Sequence, residues 1–263
     1  MRAARPRVEG DWLLVPAPQE HRPFRLFCFP HAGGDATAFT MLARAMAPAA
    51  EVWALRLPAR GGRRTEPMPA RFDLLVRTVA AELGPHLDGP SGFYGQSFGA
   101  LLAYEVARTL PRSRCPEVVI AASAEPPSAW ADGSPAGRGP DELLRKAGLG
   151  DLVRADPELR ELALATIRAD LEVSRSYRYQ PGRPPIEPDL HAVVGDADPM
   201  LTAPRLAGWA EYTAGSFGLS VVPGGHLLAS AQWPGPADVL TSILGLGPAR
   251  DSRRRPWPAP ALT

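Results

Sequence analysis

The fold is decided by the stretch Phe93-Tyr94-Gly95-Gln96-Ser97-Phe98-Gly99-Ala100. It contains the pattern G-x-S-x-G, with a short apolar run before it at residues 91–94 and a helix-compatible run after it at residues 98–110. This order predicts a strand that turns sharply into a helix, with Ser97 at the apex. Glycines on both sides of the serine allow neighbouring backbones to approach closely. The hydroxyl of Ser97 is then exposed beside a helix N-terminus, whose amides can bind an oxyanion, so Ser97 is the candidate nucleophile.

Outside this turn, apolar runs of strand length alternate with runs that carry apolar residues at helical spacing. Predicted strands cover residues 25–29, 51–56, 91–94, 116–123, 191–194 and 219–222, and predicted helices cover residues 37–47, 72–87, 98–110 and 238–246. The pair Gly84-Pro85 gives the helix at residues 72–87 an alternative, earlier end. Such alternation predicts a mostly parallel central sheet flanked by helices. The unbroken apolar run at residues 118–122 indicates strands buried on both faces. Together with the serine motif, the pattern predicts an α/β-hydrolase fold.

One long stretch, residues 126–180, interrupts the alternation because it contains no clear strand signal. Residues 128–140 are rich in Gly, Pro and Ala, whereas residues 141–148 and 157–179 have helical character. A helical insertion between two strands of such a sheet predicts a lid over the active site. The alternative is additional helical packing on the sheet.

The sequence divides into three predicted regions. Residues 1–20 are expected to be an irregular leader, and residues 21–247 to be the α/β-hydrolase domain that includes the lid. Residues 248–263 are expected to be a disordered tail, because an arginine cluster there runs into closely spaced prolines without apolar periodicity.

Composition argues against several classes of function. With 29 basic and 28 acidic residues, the formal net charge of +1 gives no general attraction to nucleic acid or membranes. No apolar run approaches the roughly eighteen residues of a membrane span, and no signal-peptide pattern is present, so we expect a cytoplasmic protein. The two cysteines, Cys28 and Cys115, do not have the spacing of a disulfide scaffold or a metal site. Neither a metal nor a cofactor is expected.

A nucleophilic serine needs a general base, and in this fold the base follows the serine and the acid in the chain. Two histidines follow Ser97, namely His191 and His226. His191 begins a predicted strand and has no loop around it. His226 ends the turn Pro223-Gly224-Gly225-His226 after the last predicted strand, where the base is expected. His226 is therefore the candidate base.

Two aspartates compete to orient this base. Asp196 and Asp198 both lie in the loop after the predicted strand at residues 191–194. Asp198 lies further into the loop and precedes Pro199, which favours an extended backbone. We therefore prefer Asp198 as the catalytic acid and expect Asp196 to cap or brace the loop.

The second half of an oxyanion hole is expected in the loop after an early strand. The stretch Phe29-Pro30-His31-Ala32-Gly33-Gly34 follows the first strong strand signal, and its paired glycines allow close approach. The backbone amides of Ala32 and Phe98 are the candidate donors. His31 precedes the serine in the chain, against the expected order of a base, and is expected to shape the loop.

These pieces resemble a known family, the type II thioesterases that edit polyketide and nonribosomal peptide synthases. The residues that carry the resemblance occur in the family's order over about residues 11–245: Phe29-Pro30-His31-Ala32-Gly33-Gly34, Leu57-Pro58 followed by Arg60, residues 95–105, Gly195 with Asp198-Pro199, Trp209, and Gly224-Gly225-His226.

The resemblance implies hydrolysis of aberrant or stalled acyl groups from the phosphopantetheine arm of an acyl carrier or peptidyl carrier protein, and it implies a helical lid. The sequence departs from the family pattern in two places, one before the serine and one after the base. Gln96 stands where members usually have His, and Leu227 and Leu228 stand where members often have Phe. Gln96 and Leu227, like His31, are expected to shape the site or contact substrate.

Four arginines follow the second predicted strand: Arg56, Arg60, Arg63 and Arg64. Carrier proteins are usually acidic, so these side chains are candidates for docking them. The alternative is a solvated loop.

Two rival functions are consistent with the same residues. One is a medium-chain acyl thioesterase or general esterase on this fold, which a preference for simple esters or acyl-CoA would reveal. The other is a non-catalytic module that binds carrier proteins, against which the complete Ser-His-Asp set argues.

Overall fold

The computed structural model describes residues 5–20, 24–131, 139–146, 156–228 and 235–246. The predicted tail at residues 248–263 lies outside the described residues, as do parts of the predicted lid, residues 132–138 and 147–155. No helix in the described ranges is both long and apolar enough to cross a membrane.

A single sheet of eight strands organises the molecule, in the order β1-β2-β4-β3-β5-β6-β7-β8. The strands are β1 (Arg7–Glu9), β2 (Leu13–Val15), β3 (Arg25–Phe29), β4 (Glu51–Leu55), β5 (Ser91–Gln96), β6 (Val118–Ala122), β7 (Asp189–Gly195) and β8 (Phe217–Val222). Strands β3 to β8 are parallel, and β1 and β2 pair antiparallel at one edge. The mostly parallel sheet confirms the predicted fold class.

In the chain, the helices alternate with these strands, and the last helix follows β8. They are α1 (Thr40–Met46), α2 (Phe72–Leu83), α3 (Phe98–Thr109), α4 (Pro140–Lys146), α5 (Pro157–Arg175), α6 (Ala203–Leu206) and α7 (Gly235–Ile243). A 3-10 turn over Gly84–His86 continues α2, so the α-helix ends earlier than the predicted residue 87. Pro85 lacks the amide hydrogen that further helical bonding needs.

The central strands are buried on both faces, as their apolar sequences predict. In β3, Phe27 and Phe29 belong to the core on one face, whereas Leu26 and Cys28 belong to the core on the other. Every residue of β6 is buried. Successive side chains of a strand point to opposite faces, so a strand covered on both sides must be apolar throughout.

The expected irregular leader over residues 1–20 is wrong for residues 7–15. Strand β1 pairs with β2, and β2 pairs with β4, where Leu13 lies opposite Leu55. Leu13 and Val15 are buried. Each of these strands has three residues, which is too short to show a periodicity, and their pairing with a strand forty residues away is a tertiary event.

Helical segments between β6 and β7 form the predicted insertion. They are a 3-10 turn over Pro127–Trp130 and the helices α4 and α5, and no named strand occurs in the described residues of this insertion. Asp156 caps α5 by accepting hydrogen bonds from the amides of Glu158 and Leu159. Apolar side chains of α4 and α5 form a small core of their own, made by Leu144, Leu164, Ile167 and Leu171.

Because β3, β5, β7 and β8 are parallel, their carboxyl ends lie at one edge of the sheet. The loops that follow these four strands carry the candidate oxyanion loop, the candidate nucleophile, the two aspartates and His226. The topology therefore gathers residues that are more than one hundred positions apart in the chain.

Candidate active site

Ser97 occupies the sharp turn between β5 and α3 that the sequence predicts. Its backbone has φ 54° and ψ −119°, a conformation that L residues other than Gly rarely adopt. Hydrogen bonds hold it there: its amide donates to the carbonyl of Ala122 over 2.8 Å, and its carbonyl accepts from the amide of Ala100 over 2.9 Å. The strained conformation is therefore over-determined by the neighbouring strand and helix.

The two glycines of the motif are required by close approach. A Cβ atom on Gly95 would lie 2.3 Å from the carbonyl oxygen of Gly99, and a Cβ atom on Gly99 would lie 2.2 Å from the carbonyl oxygen of Phe29. Both contacts are with backbone atoms, which cannot move aside as a flexible side chain can. The turn therefore packs directly on the end of β3, as the pattern predicts.

His226 and Asp198 are hydrogen-bonded to each other. The distance between Nδ1 of His226 and Oδ2 of Asp198 is 2.9 Å, and both side chains are buried. The other carboxylate oxygen, Oδ1, accepts from the amides of Met200 over 2.8 Å and Leu201 over 3.2 Å. With Nδ1 engaged by the acid, Nε2 is the ring nitrogen left for a substrate or a hydroxyl.

The pKa of Asp198 is lowered despite burial, which by itself raises it. The hydrogen bond and charge of His226, together with the two backbone amides, favour the carboxylate and outweigh desolvation. Asp198 is therefore ionised at neutral pH and can stabilise positive charge on His226.

Asp196, the competing acid, has a different task. Its Oδ1 accepts from the amide of Gly224 over 3.0 Å, and its own amide donates to the carbonyl of Val222 over 2.8 Å. Its side chain thus braces the loop that leads to His226, whereas Asp198 contacts the imidazole. A Cβ atom on Gly195 would lie 2.2 Å from the carbonyl oxygen of Gly224, so these two loops are in direct contact.

The candidate oxyanion loop forms a turn beside the serine. The amide of Gly34 donates to the carbonyl of His31 over 2.8 Å, and Gly33 has φ +81°. Ala32 and Phe98, the predicted donors, line the same cleft as Ser97 and His226. Burial, with smaller contributions from His226 and Arg60, lowers the pKa of His31 to about 4, so its ring is neutral at pH 7.

Gln96 and Leu227, which were singled out from the sequence as departures from the resembled family, both lie next to His226. Gln96 is fully buried, and its Nε2 donates to the carbonyl of His226 over 2.6 Å. Leu227 is buried and lines the cleft. Gln96 therefore holds the backbone of the candidate base, and Leu227 contributes to the wall of the cleft.

A cleft of about 490 Å³, counted up to its opening to solvent, joins these groups. Much of its remaining lining is apolar and comes from the insertion: Trp130, Leu143, Leu144, Ile167 and Leu171. A second cleft of about 320 Å³ shares Ser97 and His226 with the first and reaches Ser123, Glu125 and Leu201. The two clefts therefore adjoin each other at Ser97 and His226.

The sequence interpretation missed the residues of the insertion that line the cleft. Ile167, Leu171 and Ser174 follow each other at spacings of four and three along α5, so helical periodicity was the signal for a common face. Which face meets the cleft depends on how α5 packs, and periodicity alone does not determine that.

The structure places two of the four clustered arginines away from solvent. Arg60 and Arg63 are 5% and 6% exposed, and they pair with Asp170 and Glu66, respectively. Buried guanidinium groups with carboxylate partners are not available to dock another protein, so the docking interpretation is wrong for these two residues.

His191, the histidine set aside in the sequence interpretation, lies within β7. Its Nε2 is 2.8 Å from Oγ of Ser220 on the adjacent strand, and burial lowers its pKa to about 4. Among the described residues there is no group of three or more His, Cys, Asp or Glu side chains that could hold a metal ion.

Comparison with known proteins gives a consistent result. The family model described as "Thioesterase domain" matches residues 24–243. The probable cadicidin biosynthesis thioesterase of Streptomyces griseus is 34% identical over 220 residues, which cover 82% of this chain and 61% of that protein. Thioesterase PikA5 of Streptomyces venezuelae is 30% identical over 240 residues, covering 85% of this chain and 82% of the relative. The chain thus spans about three fifths of the first relative and most of the second.

Solved structures agree with these relatives. The type II thioesterase BorB from the borrelidin biosynthetic cluster matches with a TM-score of 0.78 and 31% identity, over 90% of this chain and 99% of that one. The RedJ thioesterase from the prodiginine pathway of Streptomyces coelicolor matches with a TM-score of 0.77 and 30% identity, over 88% and 90% of the two chains.

Proposed function

The chain belongs to the thioesterase family, and on that premise we propose that it releases acyl groups from the phosphopantetheine arm of acyl carrier or peptidyl carrier proteins. Its substrates are aberrant or stalled acyl units in polyketide or nonribosomal peptide biosynthesis. The proteins named above include a cadicidin biosynthesis thioesterase, a thioesterase of the prodiginine pathway and a type II thioesterase of the borrelidin biosynthetic cluster, which supports a role in a biosynthetic pathway. The cytoplasmic location expected from the sequence is part of this proposal.

The observation that carries the proposal is the hydrogen bond between His226 and Asp198 in a cleft shared with the strained Ser97. Asp198 orients the imidazole through Nδ1, so Nε2 is free to accept the proton of the Ser97 hydroxyl. An ordinary surface serine has neither an ordered base nor a strained turn beside it.

The reaction proceeds in two steps. In acylation, Ser97 Oγ attacks the thioester carbonyl while His226 accepts its proton, and the tetrahedral intermediate collapses with expulsion of the pantetheine thiolate, which takes the proton from His226. In deacylation, a water gives a proton to His226 and attacks the carbonyl of the acyl-enzyme. The released Ser97 oxygen then takes that proton from His226. The products are a free thiol and a carboxylic acid.

The amides of Ala32 and Phe98 stabilise the negative oxygen in both steps. Phe98 is the first residue of α3, where amide hydrogens are not used within the helix, and Ala32 lies in the turn closed by the hydrogen bond from Gly34 to His31. Donors fixed before the reaction act on charge that develops only in the transition state.

The shape of the site supports a substrate with two dissimilar ends. The cleft lined by Leu144, Ile167 and Leu171 is apolar, which suits an acyl chain. The second cleft adds Ser123 and Glu125, polar groups that suit an arm carrying amides. On this proposal, the thioester carbon lies beside Ser97, which lines both clefts.

The deciding experiment compares one acyl group on three carriers: holo carrier protein, coenzyme A and p-nitrophenol. We expect the highest kcat/KM with the carrier protein, and hydrolysis with all three to stop in Ser97→Ala. A preference for the nitrophenyl ester would identify a general esterase, and a preference for acyl-CoA a medium-chain thioesterase. Binding of the carrier without any turnover would identify a non-catalytic module.

A further inference from the structure

A buried ion pair joins the insertion to the loop after β4, behind the candidate oxyanion loop. Arg60 Nη1 donates to Asp170 Oδ2 over 2.8 Å, and Arg60 Nη2 donates to Asp170 Oδ1. Arg60 Nε also donates to the carbonyl of Pro58 over 3.0 Å, so the guanidinium orientation is fixed. Asp170 is fully buried on α5.

Both members of this pair also hold the candidate oxyanion loop. Asp170 Oδ2 accepts from the amide of Gly33 over 2.7 Å, and Arg60 Nη1 donates to the carbonyl of Gly34 over 3.0 Å. These contacts hold the amide of Gly33, which follows Ala32, and the carbonyl of Gly34. The position of the Ala32 amide is therefore set from one side by the Arg60–Asp170 pair.

Helix α5 touches the same turn directly. A Cβ atom on Gly33 would lie 2.5 Å from Cγ1 of Ile167, one turn before Asp170 on the helix. With φ +81°, Gly33 has a conformation that favours glycine, and the close packing leaves no room for another side chain. The loop and the helix are therefore packed as one unit.

Stability alone is a weak reason for such a pair. Burying two charges costs free energy that the attraction between them only partly returns, and apolar replacements are often as stable. A bidentate pair does, however, fix geometry, because two parallel hydrogen bonds tolerate little rotation. The geometry fixed here is that of the loop that carries the Ala32 amide, the candidate oxyanion donor.

We propose that Asp170, together with Arg60, is a positioning pair that holds the Ala32 amide in the oxyanion hole, and that α5 of the lid is thereby part of the catalytic machinery. This inference rests on the proposed function. Movement of α5 away from the sheet would withdraw Asp170 from Gly33, so catalytic competence and the position of this helix are linked.

The test uses Asp170→Asn in the full chain. Asp170 accepts three hydrogen bonds, one from the Gly33 amide and two from Arg60. The side-chain amide of Asn has a single oxygen and cannot accept all three. We expect kcat to fall by about 10- to 100-fold, a smaller decrease in kcat than removal of an oxyanion donor causes. KM should change by less than about threefold. An alkyl boronic acid, which forms a tetrahedral anion on the serine, is expected to bind correspondingly more weakly. A non-hydrolysable thioether analogue of the substrate is expected to bind unchanged.

Two further variants complete the experiment. Glu66→Gln removes a carboxylate that pairs with buried Arg63 over 2.6 Å in the same loop but has no bond to the oxyanion loop, so its kinetic constants should match the wild type. Arg60→Lys keeps the charge with a single donor group and should reproduce the loss in kcat if Asp170→Asn does not fold.

Wild-type kcat in the folded Asp170 or Arg60 variants would overturn the inference. So would an equal loss of boronate and thioether binding, which would indicate general distortion of the site. If the wild-type protein itself neither hydrolyses thioesters nor binds the boronate, the proposed function fails instead.

Discussion

The cleft has two walls that are built by different means. The sheet wall, made by the loops that carry Ser97, Asp198 and His226, is held by hydrogen bonds and by close packing of glycine backbones. The other wall, called the lid wall after the predicted lid, is made by Trp130, Leu143, Leu144, Ile167 and Leu171 and is packed by apolar contact, with the Arg60–Asp170 pair as its polar attachment to the oxyanion loop. Proton transfer and attack by the serine depend on the angles between the reacting groups and on proton positions, which hydrogen bonds fix. Selection of an acyl chain depends on the volume of the cleft, which packed apolar side chains set.

The two constructions respond differently to substitution. A hydrogen-bonded group works only when every member is in the right protonation state, so losing one member removes most of the activity. An apolar wall changes by increments, because each buried methylene contributes about 0.8 kcal/mol. We therefore expect effects of several orders of magnitude on the sheet wall and graded effects on the lid wall.

The largest effect is expected for Ser97→Ala. Removing the nucleophile should lower kcat for thioester hydrolysis by at least about 10⁴-fold, since the proposed acyl-enzyme forms on the Ser97 hydroxyl. The backbone hydrogen bonds of residue 97 do not involve the hydroxyl, so the melting temperature should stay within about 3 °C of the wild type. Thiol release and thermal unfolding measure the two quantities. Wild-type turnover in the folded variant would reject the mechanism.

The second-largest effect on kcat distinguishes the role of Asp198 from that of Asp196. Asp198→Asn should lower kcat by about 10³- to 10⁴-fold, because an amide that donates to Nδ1 places the ring proton on Nε2, where it blocks the base. Asp196→Asn is the matched control: its side-chain oxygen still accepts from Gly224, and kcat should change by less than about threefold. Steady-state kinetics at neutral pH compare them. Equal losses would show that the orienting acid has been assigned wrongly.

The third effect concerns the lid wall. Leu171→Phe adds volume to the acyl cleft and should lower kcat/KM for hexanoyl relative to acetyl thioester by about tenfold, with acetyl turnover little changed. Leu164→Phe adds the same volume to the lid core outside the lining of the cleft, so it should lower stability by about 1–3 kcal/mol without changing the acyl preference. An identical shift in both variants would contradict a selective role for Leu171.

The smallest effect on activity is expected at His191, which lies inside the sheet. Because burial lowers its pKa to about 4 from 6.5, the unfolded chain binds a proton between these pH values that the folded chain does not. The free energy of unfolding should therefore fall as the pH falls from about 6.5 to 4, with up to about 3 kcal/mol from this group.

His191→Gln should remove that part of the pH dependence and leave kcat at pH 7 unchanged. Urea unfolding at pH 7 and at pH 4.5 measures the difference in slope, while His31 continues to titrate in both proteins. A wild-type slope in the variant would show that His191 is not the group responsible.

Much of the architecture was open to prediction because its signals are local. The strand–turn–helix around Ser97 is encoded within eight residues, and buried parallel strands such as β6 must be apolar throughout. The fold class and the thioesterase family are confirmed. The roles of Ser97, Asp198, His226 and the two amides remain predictions that the geometry supports. The irregular leader failed as a prediction because strands of three residues carry no period, and their partner lies elsewhere in the chain.

By itself, the sequence determined which residues are candidates for the chemistry, because a glycine-flanked serine, an aspartate before a proline and a histidine after paired glycines follow one another in the chain order that a nucleophile, an acid and a base require in this fold. Only the tertiary structure decided what surrounds them. Arg60 looked like one of four surface arginines, yet it is buried against Asp170, 110 residues away. Which carboxylate a buried arginine meets depends on how helices pack on the sheet, and packing is a property of the whole chain rather than of any local pattern.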